Sequence, residues 1–351
     1  MTREAFEQEI LYRLKAQRLR TPVMQPEDVV KFVFQAMLGV GHLLQSRDQV
    51  TRYIAREMDE LASDPAEPML ELLSPAWCRL NLRPARAAHL QPRTIAGLML
   101  TSGCEMPFTR QDVYDCCRRI ARSGEYGLKK DTALDSILNE QWLPSHSAAY
   151  REKNHPAYRV ISSDWIPCMK AVQSIDEKGI GLNRLLITLD GPCASGKTTL
   201  AGEMGRKFGW SVVHMDDFFL RPEQRTPERY ALPGGNVDHE RFLAEVLEPL
   251  RAGLPVRYRP FDCRTMELSG PVELPPAQVT LVEGAYSCHP SLWDFYDLHL
   301  FLPVNPEVQR SRILLRNGDR AGSFFDRWIP LERAYFAAYD LPDRCDFLLE
   351  L

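Results

Sequence analysis

One segment of the chain carries the residue types of phosphate chemistry at the spacing that chemistry requires. Gly191-Pro192-Cys193-Ala194-Ser195-Gly196-Lys197-Thr198 fits G-x-x-x-x-G-K-[ST] at every fixed position. Gly191 and Gly196 allow a tight turn whose backbone can approach a polyphosphate without an intervening Cβ. The loop N–H groups and the following helix N-terminus present positive partial charge. Lys197 adds a full charge for the terminal phosphates, and Thr198 adds a hydroxyl suited to Mg²⁺. A chance match in a chain of this length is expected on the order of one time in a hundred. The expected nucleotide contacts are Gly191, Cys193, Ala194, Ser195, Gly196, Lys197, Thr198 and Thr199. Lys197 is expected to face the surface as a point charge. The guanine signature N-K-x-D of GTPases is absent, and no second ATPase-type sensor motif is evident.

Carboxylates and guanidinium groups follow. His214-Met215-Asp216-Asp217-Phe218-Phe219 places acids where an apolar run ends. An acid there can hold a metal or take a proton from an acceptor hydroxyl. Asp217 is the more easily explained as a loop or capping residue. Gly234-Gly235-Asn236-Val237-Asp238-His239 is a flexible turn bearing an acid, and Val282-Glu283-Gly284 sets another at the end of an apolar run. Arg310, Arg312 and Arg316 fall within one helical stretch. They either stabilise charge on a transferring phosphoryl group or form a solvated helix face.

The elements that must position these groups form two regions. Around Ser174–Gly181 the composition turns polar and glycine-bearing, which divides the chain into residues 1–178 and 179–351. The first region reads as mainly α-helical: Glu4–Gln17, an apolar stretch Val29–Leu44 opened by Pro26, a helix from Ser46 to Ala62, and a capping box at Thr109 and Asp112 before Val113–Ala121. One segment alternates, with Cys78, Leu80 and Leu82 facing one side and Arg79, Asn81 and Arg83 the other, so the polar set reads as a solvated strand face. His42 reads as a helix-end histidine. The second region alternates apolar runs (Leu185–Leu189, Trp210–Val213, Val279–Val282, Leu298–Leu302, Phe347–Leu349) with helical stretches (Thr198–Phe208, Glu240–Leu250, Pro306–Arg316). That alternation predicts an α/β fold, a parallel sheet with helices on both faces.

In this second region the sequence resembles the uridine kinase and phosphoribulokinase group of P-loop kinases. The features shared are Ser195-Gly196-Lys197-Thr198-Thr199; Asp216 with Phe218 and Phe219; Asn236, Asp238 and His239; Glu283-Gly284; and Arg312 with Arg316, Arg320 lying just beyond. The resemblance implies Asp216 as catalytic base, Lys197, Arg312 and Arg316 around the transferring group, Mg²⁺ near Thr198, Glu283 and Asp216, and Asp238 reading acceptor ribose hydroxyls. The competing reading of Asp238 is a cap for the helix from Glu240. Phe218, Phe219, Tyr258 and Phe261 would contact the acceptor. Where uridine kinases grip the pyrimidine with an aromatic-and-histidine segment, this chain has Arg257-Tyr258-Arg259-Pro260-Phe261-Asp262-Cys263-Arg264: the histidine is missing and arginines are added. His214 and His239 read as supporting residues.

Composition bounds the alternatives. The 351 residues are 44% hydrophobic and 26% charged, with 43 Lys and Arg against 47 Asp and Glu. This balance argues against a general nucleic-acid binder or a polybasic membrane binder, and no apolar run reaches the length of a membrane span. Nine cysteines without C-x-x-C pairs or zinc spacing read as reduced thiols in a cytoplasm. The sequence therefore predicts an ATP- and Mg²⁺-dependent kinase for a small-molecule hydroxyl, a nucleoside before pantothenate, a sugar phosphate or nicotinamide riboside, with homo-oligomerisation open. A regulator that only binds nucleotide is the alternative of another class, and Asp216 speaks against it, since a binder needs no base.

Overall fold

The computed structural model describes residues 2–39, 46–100, 108–124, 128, 134–139 and 141–351. The chain divides into two compact units, Met1–Met169 and Lys170–Leu351.

The first unit is mainly helical: α1 (Arg3–Arg20), α2 (Pro26–Leu38), α3 (Arg47–Glu60), α4 (Leu82–Ala87), α5 (Pro92–Leu100), α6 (Arg110–Ser123) and α7 (Ala148–Asn154). Local chemistry sets several ends. Ser46 caps α3, and Thr109 and Asp112 close the capping box of α6. Pro26 occupies the first turn of α2, which ends at Leu38; His42 and the rest of the apolar stretch beyond Gly39 lie outside the described residues. The sequence underestimated the strand content. An antiparallel sheet runs β1 (Leu70–Leu72), β2 (Trp77–Asn81), β3 (Tyr158–Ser162) with β2 in the middle. Two expectations change as a result. Leu82 opens α4 instead of extending the strand, and Arg79 is buried at 2% exposure, not solvated. Arg79 lies over the rings of Phe32 on α2 and Tyr158 on β3, so its guanidinium is paired inside, with Glu71 at 3.1 Å and Gln35 on α2.

The second unit begins in α8 (Met169–Lys178) and is built on five parallel strands: β4 (Leu185–Asp190), β5 (Ser211–His214), β10 (Val279–Glu283), β11 (Leu298–Phe301) and β12 (Phe347–Leu348), in the order β12-β11-β4-β10-β5. Two short antiparallel pairs lie between β5 and β10, β6 (Val256–Tyr258) with β9 (Val272–Leu274) and β7 (Phe261–Asp262) with β8 (Glu267–Leu268). The connecting helices are α9 (Lys197–Met204), α10 (Pro227–Ala231), α11 (His239–Phe242), α12 (Glu248–Ala252), α13 (Pro290–Trp293), α14 (Pro306–Asn317), α15 (Ile329–Ala338) and α16 (Leu341–Arg344). All six residues of β4 are buried, as a central parallel strand requires. Asn305 caps α14 through Glu307 and Val308, with Pro306 in its first turn. The predicted helix Glu240–Leu250 is a composite of α11, a π turn at Leu243–Leu247 and α12. The unit is a P-loop α/β fold: its central strand runs directly into the glycine loop, and α9 leaves that loop.

Candidate functional site

The loop is tethered before it bends. β4 ends in Asp190, fully buried, whose carboxylate accepts the N–H groups of Gly191 (2.6 Å), Tyr286 (3.2 Å) and Cys288 (2.9 Å) and the Tyr335 hydroxyl (2.9 Å). Burial outweighs those donors and raises its pKa to about 6. Gly191 has φ +147°, and a Cβ there would stand 2.3 Å from the carbonyl oxygen of Leu302, so this position excludes every other residue. Gly196, at φ +110°, sets the N-terminus of α9. There the N–H groups of Lys197, Thr198 and Thr199 occupy a first helical turn, which has no internal acceptors for them.

Side chains from two later helices hold the outer limb. Cys193 donates its N–H to Glu332 on α15 (2.9 Å), and its carbonyl accepts Gln309 Nε2 from α14 (2.9 Å). Arg312 reaches the carbonyls of Ala194 (3.1 Å) and Ser195 (2.8 Å). Burial pushes Glu332 up to about 7, opposed by the Cys193 N–H and Lys197. Lys197 departs from its expected surface position: it is 7% exposed, and Nζ folds back to the carbonyls of Gly191 (2.8 Å) and Pro192 (2.9 Å). The two loop carbonyls accept from the ammonium and offset part of the cost of burying it.

Ladder register assembles the acidic side. Glu283, last in β10, sits opposite Leu189 of β4 and His214 of β5. Its carboxylate accepts the Thr198 hydroxyl (3.2 Å) and pairs with His214 Nδ1 (2.6 Å), which raises the histidine's pKa. Asp216, in the turn Met215–Phe218, has no hydrogen-bond partner among the described residues. It has exposed surface, yet protein surrounds its carboxylate closely enough that burial raises its pKa. Lys197 opposes that shift, while the charges of Glu283 and Asp217 reinforce it. Asp217 is occupied by the Tyr258 hydroxyl (2.8 Å).

The structure therefore gathers Lys197, Thr198, Glu283 and Asp216 at the carboxyl end of the sheet, where open α/β sheets receive ligands. Other expected site residues lie elsewhere. Phe218 and Tyr258 are core residues at 0% and 4% exposure, with ring centroids 4.9 Å apart, and Phe261 is buried beneath Arg225. Phe219 is half-buried and bridges to Val237. Asp238 caps α11 through the Arg241 N–H (3.2 Å), accepts Gln224 Nε2 (2.9 Å) and is 2% exposed. Arg316 bonds Asn317 (3.0 Å) and lies over Phe324, so of the two arginines Arg312 touches the loop. Sequence reasoning missed Asp190, Gln309, Glu332 and Tyr335. Asp190 carried a signal, an acid closing an otherwise apolar strand immediately before Gly191. The other three meet the loop only through tertiary packing.

No model of a known protein family matches the chain. A possible uridine kinase from Bacillus stearothermophilus is 22% identical, with a TM-score of 0.39, over 52% of this chain and 99% of that one. A protein proposed as a fructose transport system kinase, from a Silicibacter species, is 22% identical, with a TM-score of 0.39, over 47% and 89%. Shikimate kinase from Bacteroides thetaiotaomicron is 16% identical, with a TM-score of 0.26, over 47% and 85%.

Proposed function

We propose that this protein is a small-molecule kinase that transfers a phosphoryl group from ATP to an acceptor hydroxyl, a nucleoside being the first candidate. The observation that carries the reading is Asp216: a carboxylate without a hydrogen-bond partner among the described residues, under the fields of Lys197 and Glu283, at the loop's end of the sheet. A protein that only binds nucleotide needs no such group. In the proposed reaction the first turn of α9 and Lys197 bind the phosphates. Asp216 orients the acceptor hydroxyl and takes its proton. Arg312, held by the Ala194 and Ser195 carbonyls, would stabilise charge on the transferring group.

The residues present suit Mg²⁺. Among the described residues no cluster of three acidic, histidine or cysteine side chains could hold a metal alone. Mg²⁺ instead takes one or two protein oxygens together with water and substrate phosphates. Thr198 and Glu283, 3.2 Å apart, would hold it, with Asp216 near. The ion would supply charge neutralisation at the phosphates.

Asp238 favours a second acceptor class. A diol-reading carboxylate should be open, whereas this one is occupied by Gln224 and the α11 N-terminus. An alcohol without a ribose diol, such as pantothenate or a sugar phosphate, is therefore the alternative. An ATP-consumption screen over ribonucleosides, their 2′-deoxy analogues, pantothenate and sugar phosphates tests both. Acceptor-dependent ADP release is expected, and its absence across the panel contradicts the proposal. The first unit, Met1–Met169, has no part in this chemistry in the proposal.

A further inference from the structure

The first unit contains a cavity of about 340 Å³ between α2, α3, α5, α7 and β3, within the range of small-molecule sites. Its wall is a continuous hydrogen-bonded network. Arg79 donates to Gln35 Oε1 (3.1 Å), and Gln35 Nε2 donates to the Tyr158 hydroxyl (3.3 Å). That hydroxyl lies 2.6 Å from His146 Nε2, and His146 Nδ1 lies 2.8 Å from Asp28. The Asp28 carboxylate is held low by the Ser147 and Gln25 donors, and burial pushes His146 down to about 4, so the ring is neutral at physiological pH. The proton on Nδ1 serves Asp28, leaving Nε2 to accept from Tyr158. These linked hydrogen bonds tie α2, β3 and the segment leading into α7 together along this wall.

The charges around the cavity are unevenly matched. Arg79 pairs with Glu71, and Arg159 pairs with Glu57 while lying over the Tyr53 ring. Asp28 is saturated by the network. Lys31 and Arg151, both lining the cavity, have no ion pair among the described residues. Lys31 is half-buried on α2, one turn before Gln35. Burial first, then Arg79, lowers its pKa to about 8, against the field of Asp28, which is taken up by the network and forms no ion pair with it. A half-buried ammonium without a counterion is costly. Tyr53, Met99 and Val160 add apolar surface to the lining.

We propose that this cavity binds a small organic anion, its carboxylate or phosphate facing Lys31 and Arg151 and its body lying against Tyr53, Met99 and Val160. The anion supplies the counterion that Lys31 lacks, and the Arg151 guanidinium adds a fork matched to either group.

Calorimetric titration of the full chain with phenylacetate and with phenyl phosphate tests this, the two arms separating carboxylate from phosphate recognition. At least one anion should bind, and neutral benzyl alcohol should bind far more weakly. Lys31→Met keeps the side-chain length and removes the unpaired charge, so the fold should hold by circular dichroism while affinity falls about ten- to a hundred-fold, the span of one charge-assisted contact. Arg151→Gln, at an exposed position, should weaken binding without touching the fold and decides the matter if Lys31→Met misfolds. Lys197→Met should leave binding unchanged. Absence of binding at millimolar anion, equal binding of benzyl alcohol, full affinity in both cavity variants, or loss of binding in Lys197→Met would each overturn the proposal.

Discussion

Glu332→Gln isolates the strain held beneath the phosphate loop. Glu332 is 4% exposed, and its pKa rises from 4.5 to about 7, burial being the main cause. A carboxyl whose folded pKa exceeds its unfolded value binds protons more tightly in the native state. Its stabilising contribution is fully present below pH 4.5 and is lost as pH rises towards 7. At about 1.4 kcal/mol per pKa unit, a shift of roughly 2.5 units costs about 3 kcal/mol above pH 7. Glutamine keeps an oxygen for the Cys193 N–H and never ionises. The variant should therefore match the parent near pH 4 and exceed it by about 3 kcal/mol near pH 8. Urea unfolding of both proteins at the two pH values measures the difference. A variant less stable than the parent at pH 8 would refute the reasoning, because it would mean that the ionised Glu332 pays its desolvation through Lys197.

Three further outcomes are expected. Asp238→Ala should cost at least about 1 kcal/mol of stability through the lost cap of α11 and leave any ribo-over-deoxy preference intact; collapse of that preference in steady-state kinetics would restore the diol-reading role. Asp216 must be ionised to act as a base and its pKa is raised, so kcat/KM should fall with decreasing pH from above the ordinary aspartate range; Asp217→Asn removes one of the raising charges and should move that limb to lower pH. The fragment 179–351 should fold alone, because the five-stranded sheet lies wholly within it; an unfolded circular dichroism spectrum would show that the segment before Gly179, including α8, is required.

The α/β unit was legible because its signals are local. Apolar runs mark β4, β5, β10, β11 and β12, and the glycine motif marks the loop between β4 and α9. What the sequence hid depends on long-range packing. Arg79 looked solvated because alternation does not say what packs on a strand's polar face; α2 packs there through Phe32 and Gln35 and buries it. Tyr158, in β3, meets His146 and Gln35 only after strand and helices have packed. In the site, Glu283 and Asp216 were legible as acids at strand ends, and Thr198 as a hydroxyl opening the helix after the glycine loop. Phe218 and Tyr258 looked like acceptor contacts because an aromatic beside an acid can serve either a ligand or the core. Glu332 and Gln309 grip the loop from helices more than a hundred residues away, and no short-range pattern records such contacts.

The central claim is that Asp216 is the base of a phosphoryl transfer whose nucleotide is bound elsewhere. The direct measurement is single-turnover transfer from ATP to an acceptor identified by the screen, paired with ATP binding, in the parent and in Asp216→Asn. The account predicts transfer slowed by at least about a hundred-fold, the lower range of general-base contributions, with ATP affinity little changed and the same phosphorylated product. Transfer at the parental rate, or loss of ATP binding in parallel with loss of transfer, would contradict it.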